Sequence, residues 1–224
     1  MNGPLRPAGI NGAREEILTR IRAARGPTAT PADTDAAYAA LPRPYLRAHH
    51  DPLGTDIVAL FAERAADYHA IVERVQAAGL PTAIARALDG AARFAVPDGL
   101  PGEWLAETPL GDRMVRDDPP LSARELDRVP AVVTGCAVAV AETGTVILDH
   151  GPGQGRRALT LMPDAHLVVV LAHQVTADLS DAFGRLDPAR PHTLVSGPSA
   201  TSDIELVRVE GVHGPRHLHI LIAD

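Results

Sequence analysis

The stretch HLVVVLA, residues 166–172, constrains the fold more than any other part of the chain. A continuous apolar run rich in β-branched residues has no polar side to turn to water. It fits a strand buried on both faces, as in a parallel sheet covered by helices. Its surroundings repeat the theme. VPAVVTGCAVAVAETGTVILDHG, residues 129–151, reads as two strand-like pieces broken near the acid-Thr-Gly-Thr turn. GRRALTLMP predicts a short helix, and TADLSDAFGRL a second one with Thr176 as its N-cap. HTLVSG predicts a strand that ends in a Gly-Pro turn, and HLHILIAD a final strand. Strand and helix alternate with short connections. The expected fold is therefore α/β, a Rossmann-like, largely parallel sheet flanked by helices.

The N-terminal half is expected to lead into that sheet. Ala13 to Arg25 carries Ile17, Leu18 and Ile21 at helical spacing, with acids early and arginines late. Gly26 to Pro52 contains five prolines and predicts a connector without a long regular element. Ile57 to Ala78 predicts one long helix, capped by Thr55 or Asp56 and ended by Gly79 and Pro81. Its stripe is Leu60, Phe61, Arg64, Tyr68, Ile71 and Val75. PTAIARAL predicts a second helix, and ARFAVPD the first strand of the main sheet. This reading divides the chain into a helical, Pro-rich extension, 1–54, and an α/β domain, 55–224.

Two scarcities restrict the chemistry. All 21 basic residues are arginine, so no lysine can form a Schiff base or serve a phosphate-binding P-loop. Cys136 is the single cysteine, so this chain can supply neither an intramolecular disulfide nor the four thiolates of an iron–sulfur cluster. A net charge of −7 argues against nucleic acid as a partner. No apolar run is long enough for a membrane span, and the N-terminus lacks the apolar core of a signal peptide. A cytoplasmic location is expected.

Ligands of open α/β sheets bind outside the carboxyl ends of strands, and three segments suit that rule. In the first, Ala141 to Thr145, Glu142 is a candidate nucleophile or general base beside Thr143, Gly144 and Thr145. Gly144 would let a substrate approach the backbone; the simpler reading, and the favoured one, is a bulge or tight turn with Glu142 solvated. The second, HGPGQGRRAL, places Gly153 and Gly155 before a helix that starts with Arg156 and Arg157. That is an anion cradle or a flexible loop with solvated arginines. The third, SGPSATSDIE, offers Ser199, Thr201 and Ser202 as helix caps, Ser202 pairing with Glu205 in a capping box. The same turn suits a carboxylate or phosphate.

Other chemistries find little support. His217 and His219 share one face of a strand, but a zinc site needs three or four convergent ligands. No metal is expected. Cys136 reads as a small core residue. No G-x-S-x-G elbow accompanies the Ser, His and Asp residues.

AETGTVIL, LTLMPDAHLVVVL and above all SGPSATSDIELVRVEGVHGPRHLHILI resemble the LUD domain of the lactate-utilisation proteins. The resemblance runs from about Pro130 to the C-terminus, and GPS-x-T-x-DIE followed by GVHGP is its specific part. It implies the fold shared by ribose-phosphate isomerase, glucosamine-phosphate deaminase and CoA transferases (NagB/RpiA/CoA-transferase-like). It also implies membership of a three-protein set that oxidises L-lactate to pyruvate. No cofactor is implied for this chain; the iron–sulfur clusters would lie in two partner proteins. An anion-binding wall is expected from Ser196, Gly197, Pro198, Ser199, Thr201, Asp203, His213 and Arg216, joined by the residues of the first two segments. Two alternatives remain open. One is a stand-alone enzyme of the CoA-transferase and sugar-phosphate-isomerase type that uses Glu142. The other is a non-catalytic module that senses a carboxylate.

Overall fold

The computed structural model describes residues 10–26, 30–43, 55–201, 209–210 and 213–224. The chain divides into two compact units, Met1–Tyr45 and Leu46–Asp224.

The first unit holds α1 (Ile10–Arg25) and α2 (Pro31–Ala39). The Pro-rich connector thus contains a nine-residue helix. Pro31 sits at the first helical turn, where its missing N–H costs nothing. Thr30 and Asp33 form a reciprocal capping box ahead of it.

The second unit begins with α3 (Ile57–Asp67), whose N-cap Asp56 accepts from the N–H groups of Val58 and Ala59. The expected helix to Ala78 stops here. His69 adopts a positive φ of 67°, and Ile71–Val75 becomes strand β1. Tyr68, Ile71 and Val75 fit a helical stripe by spacing, yet the β-branched pair Ile71-Val72 finds a parallel partner in the sheet. After α4 (Leu80–Ala87) come β2 (Phe94–Val96), β3 (Met114–Arg116) and α5 (Ala123–Leu126). β2 is therefore the second strand of the main sheet in chain order, not the first.

β4 (Ala131–Thr134), β5 (Val138–Val140) and β6 (Thr145–Leu148) follow. Three strands thus stand where the sequence predicted two. The chain leaves the main sheet at Gly135, whose N–H donates to Gly153 O, and enters a second sheet at Val138. Apolar content alone cannot reveal that break. α6 (Arg157–Leu161) leads to β7 (Ala165–Leu171), then β8 (Val175–Thr176) and α7 (Leu179–Arg185). The N-cap of α7 is Asp178; Thr176, expected there, belongs to β8, and its hydroxyl donates to Ala139 O. β9 (Thr193–Val195), the short pair β10 (Ala200–Thr201) and β11 (Val209–Glu210), and β12 (His217–Ala223) complete the unit.

The main sheet has the order β1-β12-β7-β4-β2-β3, and every neighbouring pair is parallel. HLVVVLA forms most of β7, near the centre, with residues 166–170 buried. One face packs Leu167, Val169 and Leu221 against Leu80 and Ile84 of α4. The opposite face packs Val168, Val170 and Ile220 against Phe61 and Ala65 of α3 and against the second sheet, ordered β8-β5-β6-β9. Alternation in β5 then sends Ala139 inward, while Val138 and Val140 meet Ala182 of α7.

Candidate functional site

The three predicted segments separate into two places. The Gly-rich loop, residues 150–156, lies across the carboxyl ends of the main strands. Gly153 donates its N–H to Asp98 O, just after β2, and its carbonyl accepts from Gly135 N, just after β4, both at 2.8 Å. Asp149 accepts from Gly151 N and from Gln154 Nε2, and pairs with Arg190 at 3.1 Å. His150 bonds Gly155 O at 2.8 Å through Nδ1. A carbonyl only accepts, so Nδ1 carries the proton and Nε2 is left to Thr193 Oγ1. Arg156 grips Asp117 with two hydrogen bonds, at 2.8 and 2.9 Å. That carboxylate raises the Arg156 pKa still further. A depression of about 410 Å³ beside the loop includes Asp98 and Asp117 in its lining, and both its arginines, Arg156 and Arg190, are already paired. The expected anion cradle of Gly153, Gly155 and Arg156 is therefore a structural clamp.

Glu142 is not among the described residues that line the clefts beside α6, β9 or the Gly-rich loop. It lies in the turn between β5 and β6, and its N–H donates to Ala177 O at 3.1 Å. Gly144 has φ +59°, and a Cβ there would stand 2.4 Å from Ala65 N of α3. The backbone that approaches this glycine is a helix of the protein, not a substrate.

The hydroxyls of the same turn point elsewhere. Thr143 Oγ1 and Thr145 Oγ1 lie 2.7 Å apart, and Thr145 Oγ1 lies 2.7 Å from Ser196 Oγ. This chain of hydroxyls ties the turn to the start of the third segment. There the protein forms a cleft of about 240 Å³. Its wall is Ser196, Gly197, Pro198 and Ser199, faced by His213 and Gly214. Gly197, at φ +86°, rests on Tyr68 O, where a Cβ would come within 2.5 Å. Ser199 is no helix cap: its N–H donates to Pro215 O, and its hydroxyl accepts from His213 N. Thr201 lies in a strand pair rather than at a helix start. Asp203, Ser202 and Glu205 lie outside the described residues.

The other wall is α6, with Arg157, Thr160 and Leu161. Arg157 differs from its neighbour Arg156: among the described residues it makes no ion pair. No carboxylate lines the cleft among the described residues either. Arg216 is directed to Asp164, 3.7 Å away on an exposed surface, and does not line the cleft.

His166 completes the lining. It is 1% exposed, and its Nε2 lies 2.8 Å from Thr134 Oγ1. Burial lowers its pKa to about 3, so the ring is neutral at pH 7. Sequence reasoning passed over both residues. The available signal was a titratable side chain heading a strand that is otherwise buried and apolar. Position also departs from expectation: His166 and Leu218 are the second residues of β7 and β12, so the cleft opens beside strand starts. Cys136 is buried and held up at about 12, consistent with a core residue. Among the described residues no three His, Cys, Asp or Glu side chains gather as a metal would require, and no helix is long and apolar enough to cross a membrane.

The LUD domain profile matches residues 114–223, from the first residue of β3 to the last of β12. Over 171 residues the chain is 52% identical to Lactate utilization protein C of Deinococcus radiodurans, covering 75% of this chain and 79% of that protein. The chain belongs to the LUD domain family. Lactate utilization protein C of Shouchella clausii is 26% identical over 188 residues, 75% of this chain and 80% of that one. The crystal structure of a DUF162 family protein from Deinococcus radiodurans superposes with a TM-score of 0.65 at 42% identity, over 81% of this chain and all of that one. Every residue that lines the 240 Å³ cleft lies inside the LUD match, whereas α3, β1, α4 and β2 precede it.

Proposed function

We propose that this LUD protein is the cluster-free member of a cytoplasmic system that oxidises L-lactate to pyruvate. Two iron–sulfur proteins would be its partners, and the Arg157 cleft its site for a small carboxylate. The observation that carries this reading is the 52% identity, over most of both chains, to a protein named for lactate utilisation. The single buried cysteine supports it: a chain with one inert thiol leaves cluster ligation, and the electrons, to other subunits. The cleft supports a binding role, because its one arginine has no ion pair among the described residues.

Geometry weighs against an acyl-transfer enzyme built on Glu142. That reading needs the backbone at Gly144 open to a substrate, yet backbone of α3 fills the space there. A sensing module would use the same cleft, and genetics separates it from the favoured reading. A clean deletion strain should fail to grow on L-lactate while growing normally on pyruvate. The protein purified from L-lactate-grown cells should bring two iron–sulfur proteins with it. Normal growth of the deletion strain would remove the lactate reading.

A further inference from the structure

Three features of the cleft, taken together, specify the charge and shape of what it binds. The first is charge count. Among the described residues that line it, Arg157 is the one arginine, it has no ion pair, and no carboxylate faces it. One guanidinium matches one singly charged carboxylate, which it can hold through two N–H groups.

The second is a neutral polar group in an otherwise closed position. His166 is 1% exposed and lines the cleft. Thr134 Oγ1 engages its Nε2, and among the described residues Nδ1 has no partner. An unpartnered ring nitrogen at such a site favours a ligand atom that bonds it. Because the ring is uncharged, it adds nothing to the binding of a second negative charge. It suits an uncharged oxygen. The Thr134 hydroxyl can donate or accept, so either tautomer of His166 can be held. Nδ1 can therefore accept from a ligand hydroxyl or donate to a ligand carbonyl.

The third is size and apolar surface. The cleft is about 240 Å³, and Leu161, Leu218 and Val195 line it. That is smaller than the roughly 300–1,000 Å³ of sites for drug-sized ligands and leaves apolar wall for a short alkyl group.

We propose that the cleft is a receptor for a short monocarboxylate with a hydroxyl or keto oxygen on the adjacent carbon. Arg157 holds the carboxylate, and His166 bonds the neutral oxygen. The same pocket then accepts both the reduced and the oxidised form of such an acid. His166 is a binding residue here, and Thr134 positions it. The choice of test ligands rests on the lactate-utilisation reading; the chemistry rests on the cleft.

The test is calorimetric titration of the full chain with L-lactate, pyruvate, propionate and inorganic phosphate. Lactate and pyruvate should bind, and propionate, which lacks the second oxygen, should bind about tenfold more weakly. Phosphate should bind no better than propionate. Arg157→Gln should weaken all three carboxylates by roughly tenfold or more. His166→Phe should abolish the preference for lactate over propionate without changing propionate affinity. His166→Gln, which keeps a neutral donor and acceptor, should retain part of the preference and guards against a folding defect in the Phe variant. Propionate binding as tightly as lactate and pyruvate would overturn the role of His166. Phosphate as the tightest ligand would overturn the monocarboxylate. If none of the four binds while the deletion strain still fails on L-lactate, the receptor falls and the lactate function stands. Binding with normal growth of that strain gives the opposite outcome.

Discussion

At the scale of single residues, adjacent identities separate by environment. Arg156 and Arg157 are neighbours with the same chemistry, yet one clamps Asp117 and the other lines a cleft. The glycines diverge in the same way. Gly144 and Gly197 both have positive φ, and both abut backbone of α3 or its C-cap residue Tyr68. Gly144→Ala should therefore meet a backbone clash as well as an unfavourable φ, and lose about 3 kcal/mol or more of stability. Denaturant unfolding would show it, and a loss below about 1 kcal/mol would contradict the packing described. Sequence supplied the residue types of the cleft wall, Ser196 to Ser199, with His213 and Arg157. It could not show that Gly153, Gly155 and Arg156 are satisfied internally, because hydrogen-bond partners such as Asp98 and Asp117 lie far away in sequence. His166 escaped notice for a related reason. A histidine beside an apolar run looks like a strand boundary until the neighbouring strand brings Thr134 to its ring.

At the scale of elements, helices and strands of clear period were legible, and changes of period were not. α4, α6, β7, β9 and β12 lie where the pattern put them. The long helix from Ile57 failed because Ile71 and Val75 satisfy a helical spacing while also suiting an edge strand, and β1 needs β12 to exist at all. The second sheet was invisible for a similar reason: β5 and β6 are buried on both faces and so lack the alternation that marks one strand from the next. The loop that spans β2, β3 and β4 yields a further prediction. The Asp117 side chain is 7% exposed and accepts from Arg156 and from Leu121 N. Asp117→Ala leaves Arg156 without its partner and Leu121 N unsatisfied, at a cost of about 2 kcal/mol. Arg156→Gln should cost similar stability yet leave carboxylate affinity at the Arg157 cleft within about twofold. Calorimetry on that variant distinguishes clamp from ligand contact; a large loss of affinity would assign Arg156 to the site.

At the scale of the whole molecule, a neutral histidine buried between two sheets makes stability depend on pH. The unfolded chain protonates His166 near its ordinary value of 6.5, whereas burial holds the folded value at about 3. Below pH 6.5 the unfolded state thus binds a proton that the native state refuses, and stability falls as the pH falls. The slope from this group approaches about 1.4 kcal/mol per pH unit down to the folded value. Half-buried His219, also lowered chiefly by desolvation, acts in the same direction. Between pH 6.5 and 5 the unfolding free energy should drop in the parent and fall less steeply in His166→Gln. Equal slopes in the two proteins would show that His166 is not the group responsible.

The strand order carries a further consequence, in time rather than in energy. β1 touches only β12 in the sheet, and Ile71 pairs with His219, 148 positions later. Ribosomes add about 5–20 residues per second, so β1 waits on the order of ten seconds for its neighbour to be made. From its own completion at Leu171 until β12 is made, β7 also lacks one of its two partners, and its apolar edge is open to any passing strand. Yield in cells should then respond more to chaperone supply and to translation speed across residues 172–217 than to the thermodynamic stability of the finished sheet.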